Sequence, residues 1–138
     1  MKNKILFLGS LCLVLALGFA FVGCNAQVVE FATLGSPGEV KAVQTGSSVA
    51  VTWKAVEGAS GYRVVYQQVG KTTYDDFGYG ANYIASDMDS WAATVSLTPN
   101  DTDLAANTKV KIGVIAVPIR NDLNYSNPAW ADGEFTVQ

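Results

Sequence analysis

From Gly38 onward, hydrophobic and polar positions alternate with a period of two. Val40, Ala42 and Gln44 fall on one face against Lys41 and Val43, and Gly46-Ser47 forms a turn. A second run sets Val49, Val51 and Trp53 against Ala50, Thr52 and Lys54. The third, "GYRVVYQQVG", puts Tyr62, Val64 and Tyr66 opposite Arg63, Val65 and Gln67, and "TKVKIGVIAV" puts Val110, Ile112, Val114 and Ala116 opposite Lys111, Gly113 and Ile115. Such alternation marks half-buried strands. No segment after Gln27 keeps a helical stripe for three turns. Short strands separated by Gly, Pro, Asn and Asp predict an antiparallel sandwich or barrel.

The N-terminus follows another rule. Lys2 and Lys4 precede an apolar run from Ile5 to Val22 that is broken only by Gly9, Ser10 and Gly18, the pattern of a secretory signal. At about 18 residues the run is also near the lower limit for an uncleaved membrane anchor. The stretch Phe21-Val22-Gly23-Cys24 resembles a bacterial lipobox, with Phe21 where that motif usually has Leu. The resemblance implies cleavage before Cys24 and acylation of its sulfur. A competing cut follows Ala26, because Cys24-Asn25-Ala26 also offers small residues to an ordinary signal peptidase. The expected organisation is a signal peptide over 1–23, a lipidated N-terminus and linker over 24–36, and a folded domain over 37–138. The expected location is the cell envelope, at the outer membrane or periplasmic face; the cut after Ala26 would give a secreted protein instead.

Composition removes several function classes. The chain has 138 residues, two cysteines and no histidine. Cys12 lies in the signal, so the mature body has no internal disulfide, no Ser–His or Cys–His chemistry and no imidazole for a metal. Loss of the signal takes Lys2 and Lys4 from nine basic residues and none of the twelve acidic ones, leaving about −5. Nucleic acid and anionic lipid headgroups are therefore poor electrostatic partners. No phosphate loop or nucleophile elbow occurs. The "DMD" and "NDTD" acids lack the spacing of a calcium loop, and a domain of this size seldom builds the cleft that a pair of catalytic carboxylates needs. The expectation is a non-enzymatic protein without cofactor or metal.

Longer patterns point to a family. "VAVTWKAVEGASGYRVVY", Val49 to Tyr66, resembles the second and third strands of a fibronectin type III domain, and "ATVSLTPNDTDLAANTKVKIGVIAV" resembles its fifth strand, corner and sixth strand. "YSNPAW", Tyr125 to Trp130, is similar to the Ser-x-Pro entry to the last strand. The resemblance implies an immunoglobulin-like antiparallel β-sandwich of about seven strands, with Trp53 and Tyr62 in its core. One departure stands out. The family usually has a Tyr at the start of the sixth strand to tie the preceding corner to the backbone, whereas this chain has Val110, so the corner must be held otherwise.

The family topology also implies that Lys71 to Asp76 is the fourth strand and Phe77 to Ser90 a loop. That loop would share one end of the sandwich with Ala55 to Ser60 and Pro118 to Asn127. Candidate binding residues there are Phe77, Tyr79, Tyr83, Trp91, Arg120 and Tyr125. Aromatic side chains among Gly, Ser and Asn provide large contact area at low entropic cost. Three uses of them stay open: recognition of a protein at the cell surface, stacking on a glycan by a carbohydrate-binding module, or coverage of the core in a spacer with no specific partner. Exposure of the aromatics separates binding from spacing.

Overall fold

A computed structural model describes residues 30–77, the backbone of 82–85, and residues 89–138. Its elements are strands β1 (Ala32–Thr33), β2 (Gly38–Thr45), β3 (Ser48–Lys54), β4 (Ala59–Gln68), β5 (Asp75–Asp76), β6 (Asn82–Ala85) and β7 (Ser90–Ser96), one helical turn α1 (Pro99–Thr102), then β8 (Lys109–Pro118), β9 (Leu123–Asn124), β10 (Ala129–Trp130) and β11 (Phe135–Thr136). The fold is all-β. Two antiparallel sheets face each other, one ordered β2-β3-β7-β6 and the other β10-β8-β4-β5 with β11 also on β8.

The alternation read from the sequence is the alternation of burial. Val49, Val51 and Trp53 are buried on β3 while the residues between them are exposed. Tyr62, Val64 and Tyr66 from β4 meet Val110, Ile112, Val114 and Ala116 from β8 and Ala93 and Val95 from β7 in one hydrophobic cluster. Apolar burial of about 25 cal/mol per Å² makes this cluster the main stabilising term. Trp53 and Tyr62 lie in it as expected, with ring centroids 5.3 Å apart, edge to face.

The stretch after β4 differs from the expected plan. Of the expected fourth strand, Lys71 to Asp76, two residues pair with β4, Asp75 opposite Tyr66 and Asp76 opposite Val65. Part of the expected loop is instead a strand, since β6 pairs antiparallel with β7 over Asn82–Ala85. Short edge strands on both sheets limit the row of unpaired backbone groups that could recruit another chain. At the opposite edge a side chain joins the sheets. Gln44 on β2 donates from Nε2 to the Thr136 carbonyl at 2.6 Å, and its Oε1 accepts the Thr136 N–H at 3.0 Å. The amide thereby acts as one more peptide group in the ladder of β11.

The outward face of the second sheet carries its own apolar layer. Val65 and Ile115 point away from the main core, yet both are buried. Asp76, Val65, Gly113 and Trp130 stand in one row across the four strands. Trp130 lies against Gly113 so closely that a Cβ there would sit 2.7 Å from Trp130 Cε3 and 2.9 Å from the Ala129 carbonyl oxygen. The Tyr74 ring meets Trp130 edge to face at 6.1 Å. A glycine under an aromatic ring is how a sheet admits a bulky side chain flat on its surface.

Pairing begins before the expected domain start. β1, in the stretch read as linker, runs parallel to β9, with Ala32 opposite Leu123 and Thr33 opposite Asn124. Asn124 Nδ2 donates to the Phe31 carbonyl at 3.0 Å, the Leu34 N–H to the Asn124 carbonyl at 3.1 Å, and the Ser36 hydroxyl to the Asn127 carbonyl at 2.9 Å. Phe31–Gln138 thus form one compact unit.

Candidate functional site

Register fixes which loops share an end. The start of β4 pairs with the end of β8, Ala59 opposite Pro118, and the end of β3 pairs with the start of β7, Lys54 opposite Ser90. The 55–58 turn, the 119–128 loop and the entry to β7 are therefore neighbours. Hydrogen bonds join them, from the Ala55 N–H to the Asp89 carbonyl at 2.8 Å and from the Ile119 N–H to the Gly58 carbonyl at 3.0 Å. The 55–58 turn is pinned from below, where the Tyr62 hydroxyl accepts the Val56 N–H at 2.7 Å.

The 119–128 loop is braced along its length. Arg120 donates to Asp122 from Nε at 2.9 Å and from Nη2 at 2.5 Å, a two-point contact inside the loop. Leu123 and Asn124 are held by β1. Ser126 then re-enters the sheet, donating its N–H to the Ala116 carbonyl at 3.1 Å while its hydroxyl accepts the Ala116 N–H at 2.8 Å. Such bracing lowers the ordering cost of binding.

The candidate residues fall into three groups. Phe77 and Trp91 turn inward. Phe77 packs on the core with its ring 4.8 Å from Tyr66, and Trp91, directly opposite Trp53, lies 5.2 Å from Tyr62. The spacing of Trp91 with Ala93 and Val95 was a readable sign of this. Arg120 and Tyr125 stay at the surface, Tyr125 being 50% exposed. The Arg63 guanidinium stands 5.3 Å from the Tyr125 ring and reaches Asp76 at 3.2 Å. Cys24 and Tyr79 lie outside the described residues, and Tyr83 is placed as backbone only, opposite Ala93 in β6.

Two residues not singled out from the sequence belong to the same end. Ile119 is 69% exposed and Phe31, beside β1, is 46% exposed. Ile119 sits between Pro118 and Arg120 in a loop without periodicity, so no pattern announced it. Phe31 falls in the stretch expected to be linker, and a linker has no place in the fold that a sequence pattern could announce. Together with Tyr125 they give the loop end three exposed apolar side chains on hydrogen-bonded backbone.

A second feature is a shallow cleft of about 620 Å³ between β5 and the α1 corner. Tyr66, Tyr74, Asp75, Asp76, Asp101 and Asp103 contribute to its walls. Hydrogen bonds from Thr98 and then Ser96 lower the Asp101 pKa, the reverse of what a general acid requires. Burial, and after it the charges of Asp75, Asp103 and Asp76, raise the Tyr66 phenol pKa. Among the described residues no group of three or more Asp, Glu, His or Cys could hold a metal ion. The carboxylates thus bias this cleft against anions.

Comparison with known proteins returns no matching family model and no curated protein of significant similarity.

Proposed function

We propose that the chain is a lipid-anchored protein of the cell envelope, a fibronectin type III-like module that binds through the loop end of its sandwich. Support for the fold reading comes from the two sheet orders, from the Tyr62-pinned turn within "KAVEGASGY", and from Ser126 entering β10 through Ser-x-Pro. The observation that carries the binding reading is the pair Ile119 and Tyr125, apolar and exposed on a loop already braced at both ends. Exposed apolar side chains on rigid backbone are the property of binding loops, whereas a spacer gains nothing from them. In this reading Cys24 carries the lipid, and the protein has no catalytic role and no cofactor.

The spacer reading draws on Phe77 and Trp91, which pack on the core. One experiment separates the two. A photo-crosslinking residue at position 119, in intact cells, is compared with one at Thr94 on the outward face of β7. Adducts at 119 alone support binding through the loop end, and adducts at neither position support the spacer. Intact mass of the mature protein, beside Cys24→Ser, tests the anchor. The expected mass begins at acylated Cys24, and a chain beginning at unmodified Gln27 removes the lipoprotein reading.

A further inference from the structure

We propose that the partner of the loop end is the lipid surface itself, with Phe31, Ile119 and Tyr125 resting on the boundary between headgroups and acyl chains. This inference rests on the anchoring of Cys24 proposed above. It follows from where the tether leaves the domain. Phe31 is fixed at the loop end by the β1–β9 pairing and by Asn124, and Cys24 lies seven positions upstream. An extended chain advances at most about 3.6 Å per residue, so the tether reaches about 25 Å. The ten-residue β4 runs the length of the sandwich, about 33 Å at strand spacing. The tether is too short to let the domain stand inverted on the membrane, with α1 toward the lipid and the loop end away from it.

The chemistry of that end suits an interface between water and hydrocarbon. Among the described residues, three of the six exposed large hydrophobic ones lie there, and Tyr125 adds a ring whose hydroxyl can stay with the headgroups. Arg120 is paired with Asp122, Lys54 with Glu39 and Arg63, beside Tyr125, with Asp76, so these three basic groups are already matched. The contact is therefore apolar and calls for no anionic lipid. The rigid backbone around Ile119 presents these side chains without a folding step, and one anchored residue converts a weak contact into an intramolecular one.

The test uses the absence of free thiols in the mature, acylated chain. Ile119→Cys and Tyr125→Cys report on the loop end, and Lys71→Cys, in the exposed turn after β4, reports on the far end. Each purified acylated variant carries an environment-sensitive fluorophore and is reconstituted in phosphatidylcholine vesicles containing spin-labelled lipid. The expected result is blue-shifted emission and several-fold stronger quenching at 119 and 125 than at 71. Equal, water-like emission at all three positions, in protein whose mass proves acylation, overturns the inference and leaves the anchor standing. A mass beginning at unmodified Gln27 overturns the anchor, and the inference with it.

Discussion

The Tyr66 hydroxyl donates to the Thr102 carbonyl at 2.6 Å, joining the end of β4 to the helical turn between β7 and β8. This bond ties down the corner, where the fold proposed for the chain leads one to expect a tyrosine in place of Val110. The acceptor is prepared by the turn itself, in which the Thr102 hydroxyl donates to the Thr98 carbonyl at 2.9 Å and Asp103 closes α1 in a left-handed conformation. Tyr66→Phe removes one buried hydrogen bond and orphans a buried carbonyl, so it should cost about 1–2 kcal/mol. Urea unfolding with an unchanged m-value would check this, and a neutral substitution would show that the corner does not depend on Tyr66.

The same phenol makes stability depend on alkaline pH. Burial first, then Asp75, Asp103 and Asp76, raise its pKa above the ordinary 10.0. As pH climbs past 10, the unfolded chain loses the phenolic proton before the folded one does. Stability should therefore fall with rising pH from that point until the folded phenol also ionises. Denaturation midpoints between pH 9 and 11 should decline more steeply for wild type than for Tyr66→Phe.

Gly113 has no room for a methyl group. An added Cβ would stand 2.7 Å from Trp130 Cε3, and 2.9 Å from the Ala129 carbonyl oxygen. Gly113→Ala should lower stability by about 1–3 kcal/mol through forced movement of β10. Combining it with Trp130→Ala should recover only part of the loss, because the carbonyl belongs to the backbone. Thermal melts of the two single variants and the double variant would show this non-additivity.

Trp53, Tyr62 and the β8 valines were legible because period-two alternation states which face a side chain takes. Trp91 was harder, since the acids and small residues before Ser90 hide where β7 begins. The brace at Tyr66 was not legible, because it joins positions 36 apart through one hydroxyl. Least legible was β1, where two residues pair in parallel with two others about 90 positions away. No local pattern encodes such a pairing, and it is this pairing that sets Phe31 beside the 119–128 loop.

Gln44 offers a test of how the sheets are joined at their edge. Its amide both donates to and accepts from Thr136, at 2.6 and 3.0 Å. Gln44→Ala should cost about 1–2 kcal/mol through loss of these two hydrogen bonds and of the one that Nε2 donates to the Gly46 carbonyl at 2.9 Å. In Gln44→Glu the ionised carboxylate can still accept the Thr136 N–H but faces the Thr136 carbonyl without a proton to donate. The introduced carboxyl should therefore have a raised folded-state pKa, and this variant should regain stability as pH falls from 7 toward 4. A variant equally impaired at both pH values would show that the donated bond is not the one that matters.

Trp91 and Tyr125 should separate stability from binding. Trp91 packs on Tyr62 inside the core, so Trp91→Ala should cost about 2–4 kcal/mol, somewhat less than a fully buried tryptophan because the ring is only half-buried. Tyr125 touches Arg63 across 5.3 Å of partly exposed surface, so Tyr125→Ser should cost no more than about 1 kcal/mol. If the loop end is the binding surface, Tyr125→Ser and Ile119→Ser should remove position-specific adducts of a crosslinker placed elsewhere in the 119–128 loop, while melting near wild type. A crosslinking pattern unchanged in both surface variants would move the binding surface away from this loop, leaving the Tyr74–Trp130 face of the second sheet as the exposed aromatic alternative.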